Sequence, residues 1–287
     1  MEKFKIKSYC KVNLTLRVLK KLNSGYHSIS SLITFADLHD KILISKTNRT
    51  KDIISFSGRF NKGIDKKKNT ISKLLNLLRQ KKMINKQMFK INIEKNIPHG
   101  SGLGGGSSNA AVLLNYFNSK MKMNLSKEQL QNLAFKIGSD VPIILEKKNT
   151  FLTGKKNIIM RINQNFRLNL LIVYPGIICS TKKIYKNNKK NIPKKTPNLF
   201  KKRSIKNLLN LLKNNDNDLQ ETVIKIYPKI KKIIDLIKLQ NGCYLSRITG
   251  SGSACIGIFS TKKNAIYAQK MIKLKFPKYW SFVSKTI

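Results

Sequence analysis

Nine consecutive positions, Gly100 to Ser108, hold five glycines and three serines in the run GSGLGGGSS, and an apolar, alanine-rich segment follows at once. Without a Cβ, successive backbone N–H groups can turn inward and approach an anion. A helix that starts directly behind such a loop adds its own unpaired N–H groups and the positive end of its dipole. The chemistry open to this stretch is therefore phosphate binding. A flexible linker is the competing reading, and it fits badly, because Leu103 interrupts the glycines and no spacer separates them from the apolar run.

Several phosphate loops share this composition. The P-loop pattern G-x-x-x-x-G-K-[ST] requires a lysine that this loop lacks. Gly100, Gly102 and Gly105 do satisfy G-x-G-x-x-G, but the dinucleotide-binding fold also expects a second strand ending in an acid about 20 residues further on. That position falls here where another helix is expected to begin, which argues against a nicotinamide cofactor.

The elements that must position the loop are legible from periodicity. Residues 4–19, FKIKSYCKVNLTLRVL, alternate apolar positions as a half-buried strand does. After the turn NSGYH, a second strand-like stretch, SISSLITFADLHDKILISK, carries DLHD as an expected break, so the first sixty residues predict an antiparallel β layer. Ile71, Leu74, Leu75 and Leu78 recur at helical spacing, and MFKINIEKNI alternates again and delivers the chain into the loop. Behind the loop, Ala110 to Phe117 predicts a buried helix. The next has Ser126 as N-cap, Gln129 completing a capping box and Gly138 ending it. SDVPIIL follows.

A second half is expected from about residue 155, so the chain divides into domains 1–155 and 156–287. FRLNLLIVYPG predicts a buried strand, STKKIYK and KRSIKNLLNLLK helices, and NDLQETVIKIYPKIKKIIDLIKLQ a longer helical region interrupted at Pro228. CYLSRITGSGSACIGIFS predicts strand, glycine turn, strand; KKNAIYAQKMIKLKF a helix; YWSFVSKTI a last strand. Residues 186–202, rich in lysine and asparagine, are the candidate mobile loop. Strands and helices mix without strict alternation, which gives an α+β fold in two lobes.

The chain has 287 residues and a net charge of +45 from 58 Lys and Arg against 13 Asp and Glu. Such a balance suggests nucleic acid, yet the lysines alternate with Asn and Ile along the whole chain and gather in no arm or tail. Compositional drift on solvated faces explains the pattern, although the field still attracts anionic substrates such as nucleotides. Cys10, Cys179, Cys243 and Cys255 form no C-x-x-C pair and are read as reduced and structural. No apolar run approaches the roughly 20 residues of a membrane-spanning helix, and MEKFKIKSYC lacks the apolar core of a secretory signal. A cytoplasmic protein without membrane partners is expected.

PHGSGLGGGSSNAA resembles the P-x-G-x-G-L-G-x-S-S-x-A nucleotide loop of the GHMP kinases, the superfamily of galactokinase, homoserine kinase and mevalonate kinase. Within it, CKVNLTLRVLKKLNSGYHSISSLITFADLHDKI is similar to the amino-terminal block of the 4-diphosphocytidyl-2-C-methyl-D-erythritol kinases, with its A-K-x-N-L-x-L and D-G-Y-H motifs. KIGSDVPIIL resembles their G-A-D-V-P-F segment, VYPGIICSTKKIY their P-G-x-x-x-x-T strand, and RITGSGSACIGIF their S-G-S-G turn. The likeness covers nearly the whole chain. Cys10, Ser24 and Ser139 depart from the usual alanine, aspartate and alanine, and none of the three removes a group the chemistry needs.

The resemblance implies a two-lobed GHMP kinase fold, with a ribosomal-protein-like amino-terminal lobe and a ferredoxin-like carboxy-terminal lobe. It implies transfer of the γ-phosphoryl of ATP to the 2-hydroxyl of 4-diphosphocytidyl-2-C-methyl-D-erythritol, in the non-mevalonate route to isoprenoids. Asp140 is then the base, and Lys11 orients it and stabilises developing charge. Pro98, His99, Gly100, Ser101, Gly102, Leu103, Gly104, Gly105, Gly106, Ser107 and Ser108 form the ATP loop, with Ser107 or Ser108 near Mg²⁺. Asn13 binds the erythritol part, Tyr26 stacks on cytosine, His27 bonds its edge and Tyr185 closes its other face. Gly250, Ser251, Gly252 and Ser253 face the substrate phosphates, a plain hairpin turn being the alternative. His39 and His99 are expected to face solvent with no individual role. The protein is expected to be a monomer or homodimer without a specific nucleic-acid partner. The remaining alternatives are another small-molecule GHMP kinase, such as one for homoserine or mevalonate, and a non-catalytic module binding RNA, which lacks a basic-aromatic platform here.

Overall fold

The computed structural model describes residues 2–22, 27–84, 86–153, 158–188 and 204–287. Two compact units emerge, each discontinuous in sequence. The first comprises Met1–Lys11, Leu38–His99 and Gly104–Lys147, and the second Val12–Asp37, Gly100–Leu103 and Lys148–Ile287. The strands β1 (Lys3–Asn13), β2 (Arg17–Lys21) and β3 (His27–Thr47) open the chain, and both β1 and β3 contribute residues to each unit.

In the first unit the carboxy-terminal half of β3 pairs antiparallel with β5 (Met88–Glu94), from Lys41 opposite Glu94 to Thr47 opposite Met88. β5 in turn pairs parallel with β4 (Ile53–Ser57). β3 does not break at DLHD as expected, because Asp40 is fully buried and ion-paired with Lys95, where a turn would have turned it to solvent. Helix α1 (Thr70–Gln80) buries Ile71, Leu74, Leu75 and Leu78, the residues whose spacing announced it. Its start is fixed by a capping box the sequence reading did not single out. Asn69 accepts the N–H groups of Ile71 and Ser72, and Ser72 accepts that of Asn69.

Helix α2 (Gly105–Lys120) begins inside the glycine run, five residues before the apolar stretch that predicted it. Ala110, Ala111, Leu113, Leu114 and Phe117 are all buried, with the Phe117 ring 4.9 Å from that of Phe89, edge to face. Each large side chain buried in this way contributes about 1.5–3 kcal/mol. Helix α3 (Lys127–Ile137) has the expected Ser126–Gln129 box and ends at Gly138, and the short α4 (Val141–Ile144) has Pro142 in its first turn.

The second unit contains β6 (Asn149–Thr153) and β7 (Ile158–Ile162), an antiparallel pair absent from the sequence reading, with β6 joined to β3 at Ser31–Ile33. Next come β8 (Asn169–Tyr174), α5 (Thr181–Asn187), α6 (Ile205–Lys213), α7 (Gln220–Ile226) and α8 (Lys229–Lys238). They are followed by β9 (Cys243–Ile248), β10 (Cys255–Phe259), α9 (Lys262–Lys275) and β11 (Trp280–Lys285). The sheet order is β11-β8-β10-β9 and every pairing is antiparallel. With helices between β8 and β9 and between β10 and β11, this is the β-α-β-β-α-β path of a ferredoxin-like lobe. Its core joins Leu171, Val173 and Ile248 of the sheet to Val223, Ile233, Ile237 and Ile272 of the helices. Pro228 separates α7 from α8 as expected. Of the candidate loop 186–202, residues 189–202 lie outside the described residues. Among those described, no helix is long and apolar enough to cross a membrane.

Candidate active site

Lys11 lies near the end of β1 with its side chain only 7% exposed, and its Nζ stands 3.4 Å from Asp140 Oδ2. Asp140 occupies the N-cap position of α4. Two backbone bonds fix it there: Gly138 N–H to Ala134 C=O closes α3 at 3.1 Å, and Val141 N–H to Gly138 C=O forms the turn at 3.1 Å. Its side chain is 38% exposed, so the carboxylate meets a buried ammonium on one side and solvent on the other. An acid held this way can accept a proton from an incoming hydroxyl while the lysine fixes its orientation.

In the same unit, Gly104 is the N-cap of α2 with φ +69°, a conformation glycine adopts without steric cost. A Cβ there would lie 2.7 Å from Lys11 Cγ and 3.1 Å from Cε. The loop end and the Lys11 stem are thus in direct contact. The first intrahelical bond runs from Ser108 N–H to Gly104 C=O at 2.8 Å, so the N–H groups of Gly105, Gly106 and Ser107 precede the helical ladder, and groups in that position can donate to an anion. Thr70 Oγ1 donates to the Gly106 carbonyl at 2.9 Å and steadies this turn.

The two serines differ. Ser108 is buried and its hydroxyl donates to the Tyr9 carbonyl at 2.5 Å, whereas Ser107 is half-buried. The described residues contain no group of three His, Cys, Asp or Glu able to hold a metal ion. A Mg²⁺ here would be held largely through nucleotide phosphates and water, the hard oxygen donors it takes, and Ser107 fits as an added hydroxyl better than Ser108. Pro98 is buried. His99 and His39 are half-buried and do not simply face solvent: His99 Nε2 donates to the Lys62 carbonyl at 2.9 Å, and the His39 ring packs 5.1 Å from that of Tyr9.

In the second unit, the middle of the loop packs on the second glycine turn. Ala254 N–H donates to the Ser101 carbonyl at 3.0 Å and Cys179 N–H to that of Gly100 at 2.9 Å. At Gly102 (φ +83°) a Cβ would collide with the Thr249 carbonyl oxygen and come within 3.1 Å of the Gly252 oxygen. Asn13 joins the same cluster: its N–H donates to Thr249 Oγ1 at 2.9 Å and its Nδ2 to Ser31 Oγ at 2.8 Å. Ser251 Oγ is 2.9 Å from Thr181 Oγ1, and the Ser253 hydroxyl donates to the Ile177 carbonyl. Asn217, unnoticed in the sequence, donates from Nδ2 to the carbonyls of Ile248 and Gly250 at 3.2 and 2.8 Å. Nothing distinguishes it by sequence from the many other asparagines of the chain.

His27 and Tyr185 stack, with ring centroids 5.1 Å apart and planes at 30°. Burial, aided by the charge of Lys21, lowers the His27 pKa from its ordinary 6.5, so the ring is neutral at neutral pH. Tyr26 lies outside the described residues. All four cysteines are free thiols. Burial pushes Cys179 and Cys243 up to about 11 and raises Cys255 further, so all three are protonated and unreactive near neutrality.

Residues 69–148 match the GHMP kinases N terminal domain and residues 198–278 the GHMP kinases C terminal domain. The 4-diphosphocytidyl-2-C-methyl-D-erythritol kinase of Pelagibacter ubique is 39% identical over the full length of both chains. The enzyme of the same name from Caldicellulosiruptor bescii is 34% identical over 94% of each. Among solved structures, a 4-(cytidine 5'-diphospho)-2C-methyl-D-erythritol kinase superposes with a TM-score of 0.74 at 22% identity, covering 98% of this chain and 99% of that one. Homoserine kinase from Cytophaga hutchinsonii gives 0.75 at 17% identity, covering 100% of this chain and 95% of its own. The fold is therefore common to the superfamily, and sequence identity separates its members. On that identity, the chain belongs to the GHMP kinases, within the family of 4-diphosphocytidyl-2-C-methyl-D-erythritol kinases.

Proposed function

We propose that this chain is an ATP-dependent kinase that phosphorylates the 2-hydroxyl of 4-diphosphocytidyl-2-C-methyl-D-erythritol, giving the 2-phosphate and ADP on the non-mevalonate route to isopentenyl diphosphate. The substrate rests on full-length likeness to relatives bearing that name. The observation that carries the chemistry is the Lys11–Asp140 pair, a buried ammonium 3.4 Å from a partly exposed carboxylate.

Phosphoryl transfer asks for alignment, charge neutralisation and an acceptor for the hydroxyl proton. Asp140 accepts that proton as the 2-hydroxyl oxygen attacks, a role worth roughly 10²–10⁴-fold in rate. Lys11 keeps the carboxylate oriented and stabilises the alkoxide as it develops. The N–H groups at the start of α2 receive phosphate oxygens of ATP. Mg²⁺, with Ser107 as its protein hydroxyl, neutralises phosphate charge when bound. In the second unit, Tyr26 and Tyr185 are assigned to the two faces of cytosine and His27, stacked on Tyr185, to its edge, and Asn13 to the erythritol part. Gly250–Ser253 is assigned to the substrate phosphates. We place the family's domain boundary near residue 155, between the two family matches, and expect a cytoplasmic monomer or homodimer.

The test is ATP consumption by the purified protein with Mg²⁺ and the cytidine substrate, with homoserine and mevalonate in parallel and Asp140→Asn as control. Turnover with the cytidine compound alone, lost in the variant, supports the reading. Turnover with homoserine or mevalonate would overturn the substrate.

A further inference from the structure

The first unit buries a second lysine–carboxylate pair that the proposed mechanism does not use. Asp40 and Lys95 are both buried, and Lys95 Nζ is ion-paired with Asp40 Oδ2. The other carboxylate oxygen accepts two backbone N–H groups, from Asn96 at 2.7 Å and from Ile97 at 2.8 Å. Apolar side chains of similar volume fill such a space at less cost than two charges taken out of water. The pair therefore calls for a role other than packing.

Its surroundings suggest one. Asn96 and Ile97 are the last residues before Pro98, where the chain enters the glycine loop. A Cβ on Gly105, the first residue of α2, would lie 2.9 Å from Ile97 Cγ2 and 3.3 Å from Lys95 Nζ. The Lys95 backbone is itself anchored, its N–H donating to the Ser57 carbonyl at 2.7 Å and its carbonyl accepting the Phe60 N–H at 3.1 Å. One carboxylate thus fixes the backbone that leads into the loop, and the ammonium it holds supports the helix that leads out. A lone cation beside a helix N-terminus opposes the helix dipole; paired with Asp40 it acts there as a charge-balanced spacer.

We infer that Asp40 and Lys95 form a positioning pair for the nucleotide loop, setting the separation between the end of β5 and the amino terminus of α2. The N–H groups of Gly105, Gly106 and Ser107 are thereby held where a phosphate chain meets them. The inference rests on the reading of that helix start as the ATP phosphate site, and not on the identity of the phosphoryl acceptor.

Calorimetric titration with ATP tests it without requiring turnover. Asp40→Asn leaves the ammonium buried and unpaired. Asp40→Asn/Lys95→Met removes both charges together and so leaves no uncompensated buried charge, and it is expected to fold where the single variant does not. Lys95→Arg keeps both charges and enlarges the group against Gly105. Roughly ten- to hundredfold weaker ATP binding is expected in the folded double variant and in Lys95→Arg, with affinity for adenosine, which has no phosphates, unchanged. A purely structural pair would lower the melting temperature and leave ATP affinity of the folded protein at the wild-type value. That result, or equal losses for ATP and adenosine, overturns the inference. Wild-type protein that binds ATP but turns over no substrate would sink the acceptor assignment alone; wild-type protein that binds no ATP would sink the positioning role with the nucleotide site.

Discussion

The Lys11 ammonium, almost wholly buried, stands 3.4 Å from the carboxylate of Asp140, which keeps more than a third of its side chain open to solvent. Asp140→Asn keeps the side-chain shape while removing the base, so kcat falls by roughly 10²–10⁴ and ATP affinity stays within a few fold. Single-turnover rates and calorimetry on the same protein check this. Equal losses in both quantities would contradict the base assignment.

Gly104 links the loop to that pair. Alanine there has to adopt φ +69° and press its Cβ against the Lys11 side chain, 2.7 Å from Cγ. The left-handed backbone costs about 1–2 kcal/mol, and Lys11 shifts away from Asp140. Gly104→Ala is therefore expected to lower kcat as well as weaken ATP binding. A variant with poorer ATP affinity and an unchanged kcat would show that Lys11 had not moved.

The glycine loop was legible because its function is carried by backbone: bare N–H groups need glycine, and glycine clusters stand out in a sequence. Ser126, Gln129 and Gly138 were legible for a similar reason, since caps are local. What escaped is what depends on distant partners. DLHD reads as a strand break because an aspartate in a strand is unfavourable in isolation. β3 continues through it only because Lys95, 55 residues away, neutralises Asp40. β6 and β7 are only five residues each, and β6 takes its register from β3 and β7 from β6. Asn217 could not be told from its many neighbours of the same type. Of the candidate site residues, those that belong to a motif stand out in the sequence, whereas the residues that brace them do not.

The thiols offer a control on the assignment of chemistry. Cys179 and Cys243, pushed up to about 11 by burial, and Cys255, raised further, carry almost no thiolate near neutral pH. Iodoacetamide at neutral pH should leave these three unmodified in the folded protein, as intact-mass measurement would show, and turnover should be unaffected. Rapid loss of activity with modification of any of these three would contradict the burial that holds them protonated.

The His27–Tyr185 stack makes a prediction about pH. The folded-state pKa of His27 lies below 6.5, chiefly through burial and then through Lys21. The unfolded chain therefore takes up this proton first as pH falls. Well above 6.5 the ring is neutral in both states and contributes no pH dependence; as pH falls through 6.5 the unfolded chain is protonated first, and stability declines through the window down to the folded-state value. If His27 and Tyr185 hold cytosine, KM for the cytidine substrate should be flat from about pH 8 to the ordinary histidine range and rise only in more acid solution, while KM for ATP follows no such curve. Tyr185→Ala should raise the same KM roughly tenfold, the loss of about 1.4 kcal/mol of stacking and burial, with little effect on ATP. A KM for the cytidine substrate that already climbs between about pH 8 and 7, where a neutral His27 has nothing to titrate, would remove this histidine from the base-binding surface.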